Sequence, residues 1–260
     1  MEVQQLDLAK QFLSHHTPDG RLLMCAVTGS HIYGFAAPDS DIDMKGIHMA
    51  PTPSMLGLGR PVDVHNRLMM YEGVECDLTT HEVGKALSLV LRGNGNMLER
   101  LFSPIQMVKT EQLSELQELA RASFSRSCFS HYSGFFKGMQ RAHLREAPMM
   151  KSMLSSVRVA LTGIHLLKTA EVVSDLWVLT GLYGFREVED LMDRKSTAMD
   201  KAALTEMESK RYQKLWPILG ELLLESRDQS PLPPHPPNEA ACSEWLTSLR
   251  IQGLSEGSTA

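Results

Sequence analysis

The feature that most limits how this chain can fold is a change of hydrophobic period near residue 105. Before it, short apolar segments that read as strands alternate with helical ones; from about residue 110 onward nearly every apolar spacing is helical. Segregated strands and helices predict an α+β protein, a mixed sheet followed by helices. Residues 3–16 carry Val3, Leu6, Leu8, Phe12 and Leu13 at helical spacing and stop at Thr17-Pro18-Asp19-Gly20. Residues 22–27 form an apolar run closed by Gly29, as expected of a strand buried on both faces. Residues 41–49 alternate polar and apolar, and residues 62–70 and 73–80 are two further predicted strands. A helix begun by His81-Glu82 and stopped by Gly93 follows, then a turn or two over 97–102 that Pro104 ends.

Helices are predicted over 110–123, 127–145, 151–170, 180–195 and 201–226. Residues 231–237 contain too many prolines for helix or sheet and read as an extended linker. A short amphipathic piece over 241–249 is expected to dock back, with loose residues after it. The expected division is a mixed-sheet domain over 1–105, a helical domain over 106–228, and a Pro-rich linker and tail over 229–260.

The 43% hydrophobic content can fill a real core. The chain opens with neither a basic stretch nor an apolar run, so a soluble, cytoplasmic protein with no membrane partner is expected. Cys25, Cys76, Cys128 and Cys242 lie too far apart for a zinc or redox motif and read as reduced and buried. The 26 Lys and Arg against 31 Asp and Glu leave a net charge of −5, which argues against a generally basic nucleic-acid binder. Residues 121–170 are the exception: eight basic residues stand there against a single acid, Glu146.

The chemistry lies between the first two predicted strands, in Gly29-Ser30-His31-Ile32-Tyr33-Gly34 and then Asp39-Ser40-Asp41-Ile42-Asp43. Residues two apart on a strand point the same way, so Asp41 and Asp43 present two carboxylates on one face while Ile42 and Met44 face the core. Two close carboxylates repel unless a cation sits between them, and hard oxygen donors favour Mg²⁺ or Mn²⁺ over zinc. Gly29 allows a sharp turn, after which backbone amides and the Ser30 hydroxyl can bind phosphate.

These motifs resemble the DNA polymerase β-type nucleotidyltransferases, which share a Gly-Ser after the first strand, an acidic pair on the next and a third acid on a later strand. The resemblance is closer still to a nucleotidyltransferase family associated with RNA repair. That family's Gly-Ser-x-x-Tyr-Gly and Ser-Asp-x-Asp match residues 29–34 and 40–43, and its Gly-Asn-x-Asn-x-x-Glu matches residues 93–99. The likeness is good over about 22–104 and loose in the helical part. It implies transfer of a nucleoside monophosphate from an NTP to a hydroxyl by two-metal catalysis, with Mg²⁺ or Mn²⁺ held by Asp41, Asp43 and Asp77. Asp77 could also help remove the acceptor's proton. Glu75 shares the strand face of Asp77 and is the alternative third carboxylate; only the resemblance favours Asp77.

Gly29, Ser30, Tyr33, Asn94, Asn96, Lys151 and Arg158 are the candidate nucleotide contacts. Each has a structural counterpart. Tyr33 can pack under the loop, and Gly93-Asn94-Gly95-Asn96 can be a helix stop and an N-cap. Lys137, Arg141 and Arg145 recur every four residues and Lys151, Arg158 and His165 every seven, so two basic rows on successive helices form either an RNA or triphosphate groove or partners for the later acids. An RNA end, such as a tRNA or a repair substrate, is the expected acceptor, through the basic face over 121–170. A protein or small-molecule acceptor, or a catalytically silent nucleotide- or RNA-binding module, stays open, as does the oligomeric state.

Overall fold

Five strands form one mixed sheet among the described residues, in the spatial order Val64–Tyr71 (β3), Val74–Glu82 (β4), Ile42–Met49 (β2), Arg21–Thr28 (β1) and Gln106–Lys109 (β5). The structure, a computed structural model, describes residues 1, 3–56, 58, 61–199 and 202–257. Helix α1 (Val3–His15) leads into β1 (Arg21–Thr28); the four-residue α2 (Ser30–Tyr33) and a loop lead to β2 (Ile42–Met49). A short α3 (Thr52–Leu56) precedes the hairpin of β3 (Val64–Tyr71) and β4 (Val74–Glu82). This excursion brings β4 back beside β2 as a parallel neighbour, while every other pair in the sheet is antiparallel.

The expected alternation of residues 41–49 is realised over 41–45, whereas Gly46, Ile47, His48 and Met49 are all buried. Ile42 and Met44 are fully buried with Cys25, Cys76 and Leu78 under α1, through Ala9, Phe12 and Leu13. The opposite face of the sheet meets α4 (Val83–Leu91) and α5 (Gly95–Leu101), which Glu82 and Asn94 cap by accepting from Gly84 N and Met97 N. Beyond α5 the sequence reading lacked one element. Residues Gln106–Lys109 form β5, which pairs with β1 as an edge strand. Four residues after a proline carry too little periodicity to be recognised alone.

Then come α6 (Glu111–Ala122), α7 (Cys128–Arg145) and α8 (Met150–Thr169). Helix α8 is buried along most of its length, and its Gly163 lets α7 approach, since a Cβ there would run into Tyr132. The predicted helix over 180–195 is divided: α9 (Leu176–Tyr183) ends at the left-handed Gly184, and α10 (Glu189–Thr197) follows a single 3-10 turn, Arg186–Val188. The predicted 201–226 helix is also two, α11 (Glu206–Gln213) under a Thr205–Glu208 capping box and α12 (Leu215–Asp228). Pro217 has no N–H to offer the Gln213 carbonyl, which explains the break. Residue 201, where that helix was expected to begin, and the last three residues of the expected tail lie outside the described residues.

One apolar core runs from β1, α4 and α5 into α7, α8 and α12. The proline-rich stretch has neither helix nor strand, and it is tied down: Arg126 N donates to Pro233 O at 2.8 Å and Ser230 Oγ to Leu167 O at 2.6 Å. Helix α13 (Glu239–Gly257) is longer than expected; it packs on α3 and α4, pairs Arg250 with Glu82 at the start of α4, and reaches α6 through Trp245 Nε1, which donates to Glu115. All four cysteines are free and buried, and among the described residues no helix is long and apolar enough to cross a membrane.

Candidate active site

Strand β1 ends at Gly29, whose φ of 70° and ψ of −154° suit glycine alone. A side chain there would also collide with the Asp43 carboxylate, so turn and carboxylate are built against each other. The Ser30 hydroxyl behind it is buried and has no hydrogen-bond partner among the described residues. A buried hydroxyl of this kind is a donor held ready for an incoming acceptor. His31 Nε2 lies 3.1 Å from Asp41 O, and burial lowers its pKa, so the neutral ring donates to that carbonyl and ties the turn to the start of β2.

In the parallel ladder Asp43 lies opposite Asp77, and Lys45 opposite Thr79. The register therefore puts Asp77 across from the acidic pair, whereas Glu75 is exposed and pairs with Met70 on the other side. The Lys45 ammonium lies 2.6 Å from Asp77 Oδ2 and 3.4 Å from Asp43 Oδ1, with Thr79 Oγ1 3.3 Å away. Burial pushes the Asp43 carboxyl above its ordinary range; the Lys45 charge opposes this, and the Asp41 and Asp77 charges add to it. Asp41 stands at the rim, its Oδ1 3.9 Å from the Lys151 ammonium of α8. Sequence reasoning missed Lys45, although its place two residues after Asp43 already put it on the carboxylate face.

Among the described residues no three His, Cys, Asp or Glu side chains converge as a ready-made metal cage. The donor set is nonetheless suited to a hard cation, because a tethered ammonium already bridges two of its carboxylates.

Behind the turn lies a second charged cluster. Tyr33 Oη donates to Glu99 Oε2 at 2.6 Å, Arg158 Nη1 to Glu99 Oε1 at 2.5 Å, and the guanidinium stacks 3.6 Å from the Tyr33 ring centre. Burial disfavours the Arg158 charge, but Glu99 reverses that and the arginine pKa ends raised. Tyr33 and Arg158 thus meet each other rather than open solvent, and Glu99, the last residue of the Gly-Asn-x-Asn-x-x-Glu motif, is their common partner. Asn94 is engaged as the α5 cap and Asn96 is exposed.

The two basic rows separate. Lys137, Arg141 and Arg145 are exposed on α7, while Arg158 and His165 are buried at 4% and 6% exposure because α8 is the central helix. Lys151 is the member of the second row that reaches the carboxylates.

A Gly-Ser turn packed on an acidic strand pair, with a third acid in register on a parallel neighbour, is the frame of a polymerase β-type nucleotidyltransferase. The chain belongs to the RNA repair pathway DNA polymerase beta family, whose family model matches residues 1–248. It is similar to Uncharacterized protein MJ0002 of Methanocaldococcus jannaschii, with 26% identity over 225 residues, 84% of this chain and 89% of that protein. A crystal structure of a nucleotidyltransferase-like protein from Exiguobacterium sibiricum aligns over 86% of this chain and 75% of its own at 13% identity, with a TM-score of 0.34, too low to carry an argument. Membership of the family supports nucleotidyl transfer in general terms, with a nucleoside triphosphate and a divalent metal as the family's usual requirements.

Proposed function

We propose that the protein transfers a nucleoside monophosphate from an NTP to a hydroxyl at the end of an RNA, releasing pyrophosphate. The observation that carries this reading is the in-register pair Asp43 and Asp77, already bridged by a cation, against the Gly29-Ser30 turn. Asp41, Asp43 and Asp77 would hold Mg²⁺ or Mn²⁺, which when bound supplies positive charge for the triphosphate and acidifies the acceptor hydroxyl. The Ser30 hydroxyl and the Gly29 turn receive phosphate oxygens; Lys151, beside Asp41, adds positive charge at the rim. Asp77, opposite Asp43 on the parallel neighbour β4, accepts the proton of the acceptor hydroxyl.

In this reading residues 1–105, extended by β5 to residue 109, form the transfer unit, 110–228 the helical unit, and the residues from 229 onward a tail whose described part is bound across both. Support for an RNA acceptor comes from the exposed Lys137, Arg141 and Arg145 on α7 and from the family's association with RNA repair. The test incubates the full chain with each labelled NTP, Mg²⁺ or Mn²⁺, and total RNA, beside protein and small-molecule acceptors. Label should move to RNA and vanish in Asp41→Ala. Label on protein or a small molecule instead replaces the acceptor, and NTP binding without transfer to anything makes the protein a silent nucleotide-binding module.

A further inference from the structure

Lys45 is a charged side chain at the centre of the site to which nucleotidyl transfer as described assigns no task. It rises from β2 on the face of Asp43, and the parallel register sets Asp77 and Thr79 beside it on β4. Its ammonium has three protons and three oxygen partners: Asp77 Oδ2 at 2.6 Å, Thr79 Oγ1 at 3.3 Å and Asp43 Oδ1 at 3.4 Å. The side chain is 19% exposed, so this is a docked group.

The oxygens it engages on Asp43 and Asp77 are those a divalent cation would need. An ammonium and a divalent ion cannot share them, because two like charges would then lie within one ligand radius of each other. A lysine stem has four rotatable carbons and can withdraw its head without moving the backbone.

We propose that Lys45 is a tethered counter-ion that occupies the metal position between Asp43 and Asp77 and must leave when metal enters. This rests on the metal-holding role given to those carboxylates above. Two consequences follow from the exchange. Without metal, the lysine keeps the acidic pair assembled against its own repulsion, so the site is preformed. It also opposes metal binding in the absence of nucleotide. Once a triphosphate is present, the displaced ammonium has an anionic partner within reach of β2, so metal and nucleotide favour each other's binding. Lys45 is in this sense a positioning residue that couples the two.

The experiment is a Mn²⁺ titration of the full chain without nucleotide, followed by the loss of the free-ion paramagnetic resonance signal. Lys45→Met should bind Mn²⁺ about tenfold or more tightly than the unmodified protein, because removal of a cation within contact of two carboxylates shifts their affinity for positive charge by that order. Lys45→Arg, which restores a cation, should return affinity toward the unmodified value. Equal or weaker Mn²⁺ binding by Lys45→Met overturns the exchange while leaving the metal site standing. Failure of both proteins to bind Mn²⁺ removes the metal site itself. A second measurement needs no variant: amine acetylation of the unmodified protein, read by mass spectrometry at Lys45, should be slow without metal and faster with saturating Mn²⁺. A labelling rate unchanged by bound metal also overturns the proposal.

Discussion

Two charged clusters flank the Gly29-Ser30 turn, and they are built for different ends. In front, Asp41, Asp43, Asp77, Lys45 and Lys151 are a quarter to two-fifths exposed, apart from the more enclosed Lys45, and acids outnumber bases. Behind, the Glu99 and Arg158 side chains taken alone are 10% and 5% exposed, matched one to one, with both Glu99 oxygens used and an aromatic ring over the guanidinium. An acid excess at a semi-exposed place invites an added cation, whereas a closed pair in the interior can only hold position. What the closed pair positions is visible from its chain connections. Tyr33 belongs to the helix that Ser30 begins, and Arg158 lies two turns along the helix that carries Lys151 to Asp41. The rear cluster therefore joins the Gly29-Ser30 turn to the helical region.

The largest effect is expected from opening the rear pair. Arg158→Met leaves the Glu99 carboxylate buried without its partner and should cost about 3–5 kcal/mol in urea unfolding. The double change Arg158→Met with Glu99→Gln removes both charges and should recover part of that loss; a double variant no better than the single would show that the pair is not closed in this way. In front the opposite pattern is expected. Asp43→Asn should reduce transfer about 10²- to 10³-fold, as for loss of one charge-stabilising group, with an undiminished melting temperature because a half-buried charge crowded by the like charges of Asp41 and Asp77 is removed. A clear fall in melting temperature would mean that Asp43 is a structural charge like those behind it.

The smallest effect is a pH slope. His81, on the Asp77 strand, accepts from Arg100 Nη1 at 2.9 Å, and burial first, then the Arg100 charge, lowers its pKa from 6.5 to about 4. The folded state binds a proton there less readily than the unfolded chain. Its contribution to stability is therefore complete above about pH 6.5 and is lost as pH falls toward 4. Urea midpoints measured between pH 7 and 4 should decline, and His81→Gln should flatten that decline; an unchanged slope would place the acid sensitivity elsewhere, for instance at His48 or His143, whose pKa values burial also lowers.

Much of the front cluster was legible in the chain itself. Strand parity alone placed Asp41 and Asp43 opposite Ile42 and Met44, and the same parity would have supplied Lys45 had it been followed one step further. The rear cluster was legible only in fragments. Lys151, Arg158 and His165 read as a basic row because they recur every seven residues, yet α8 is apolar on its other faces too, with Met153, Leu154, Val157, Val159 and Leu161 all buried. A charge midway along such a helix must find a buried partner, and that was the available warning. The partner, Glu99, lies 59 residues away in the chain, a separation across which no local pattern operates.

The sequence by itself determined the strand that carries the acidic pair, the glycine that turns before it, and the general order of sheet then helices. These follow from backbone sterics and from side-chain periods of two and of about 3.6, which act between near neighbours. The tertiary structure alone decided that Asp77 rather than Glu75 faces Asp43, that Lys45 bridges them, and that Arg158 is spent on Glu99. Each of these depends on the register between strands or the burial of a helix, and both are set only when distant segments pack.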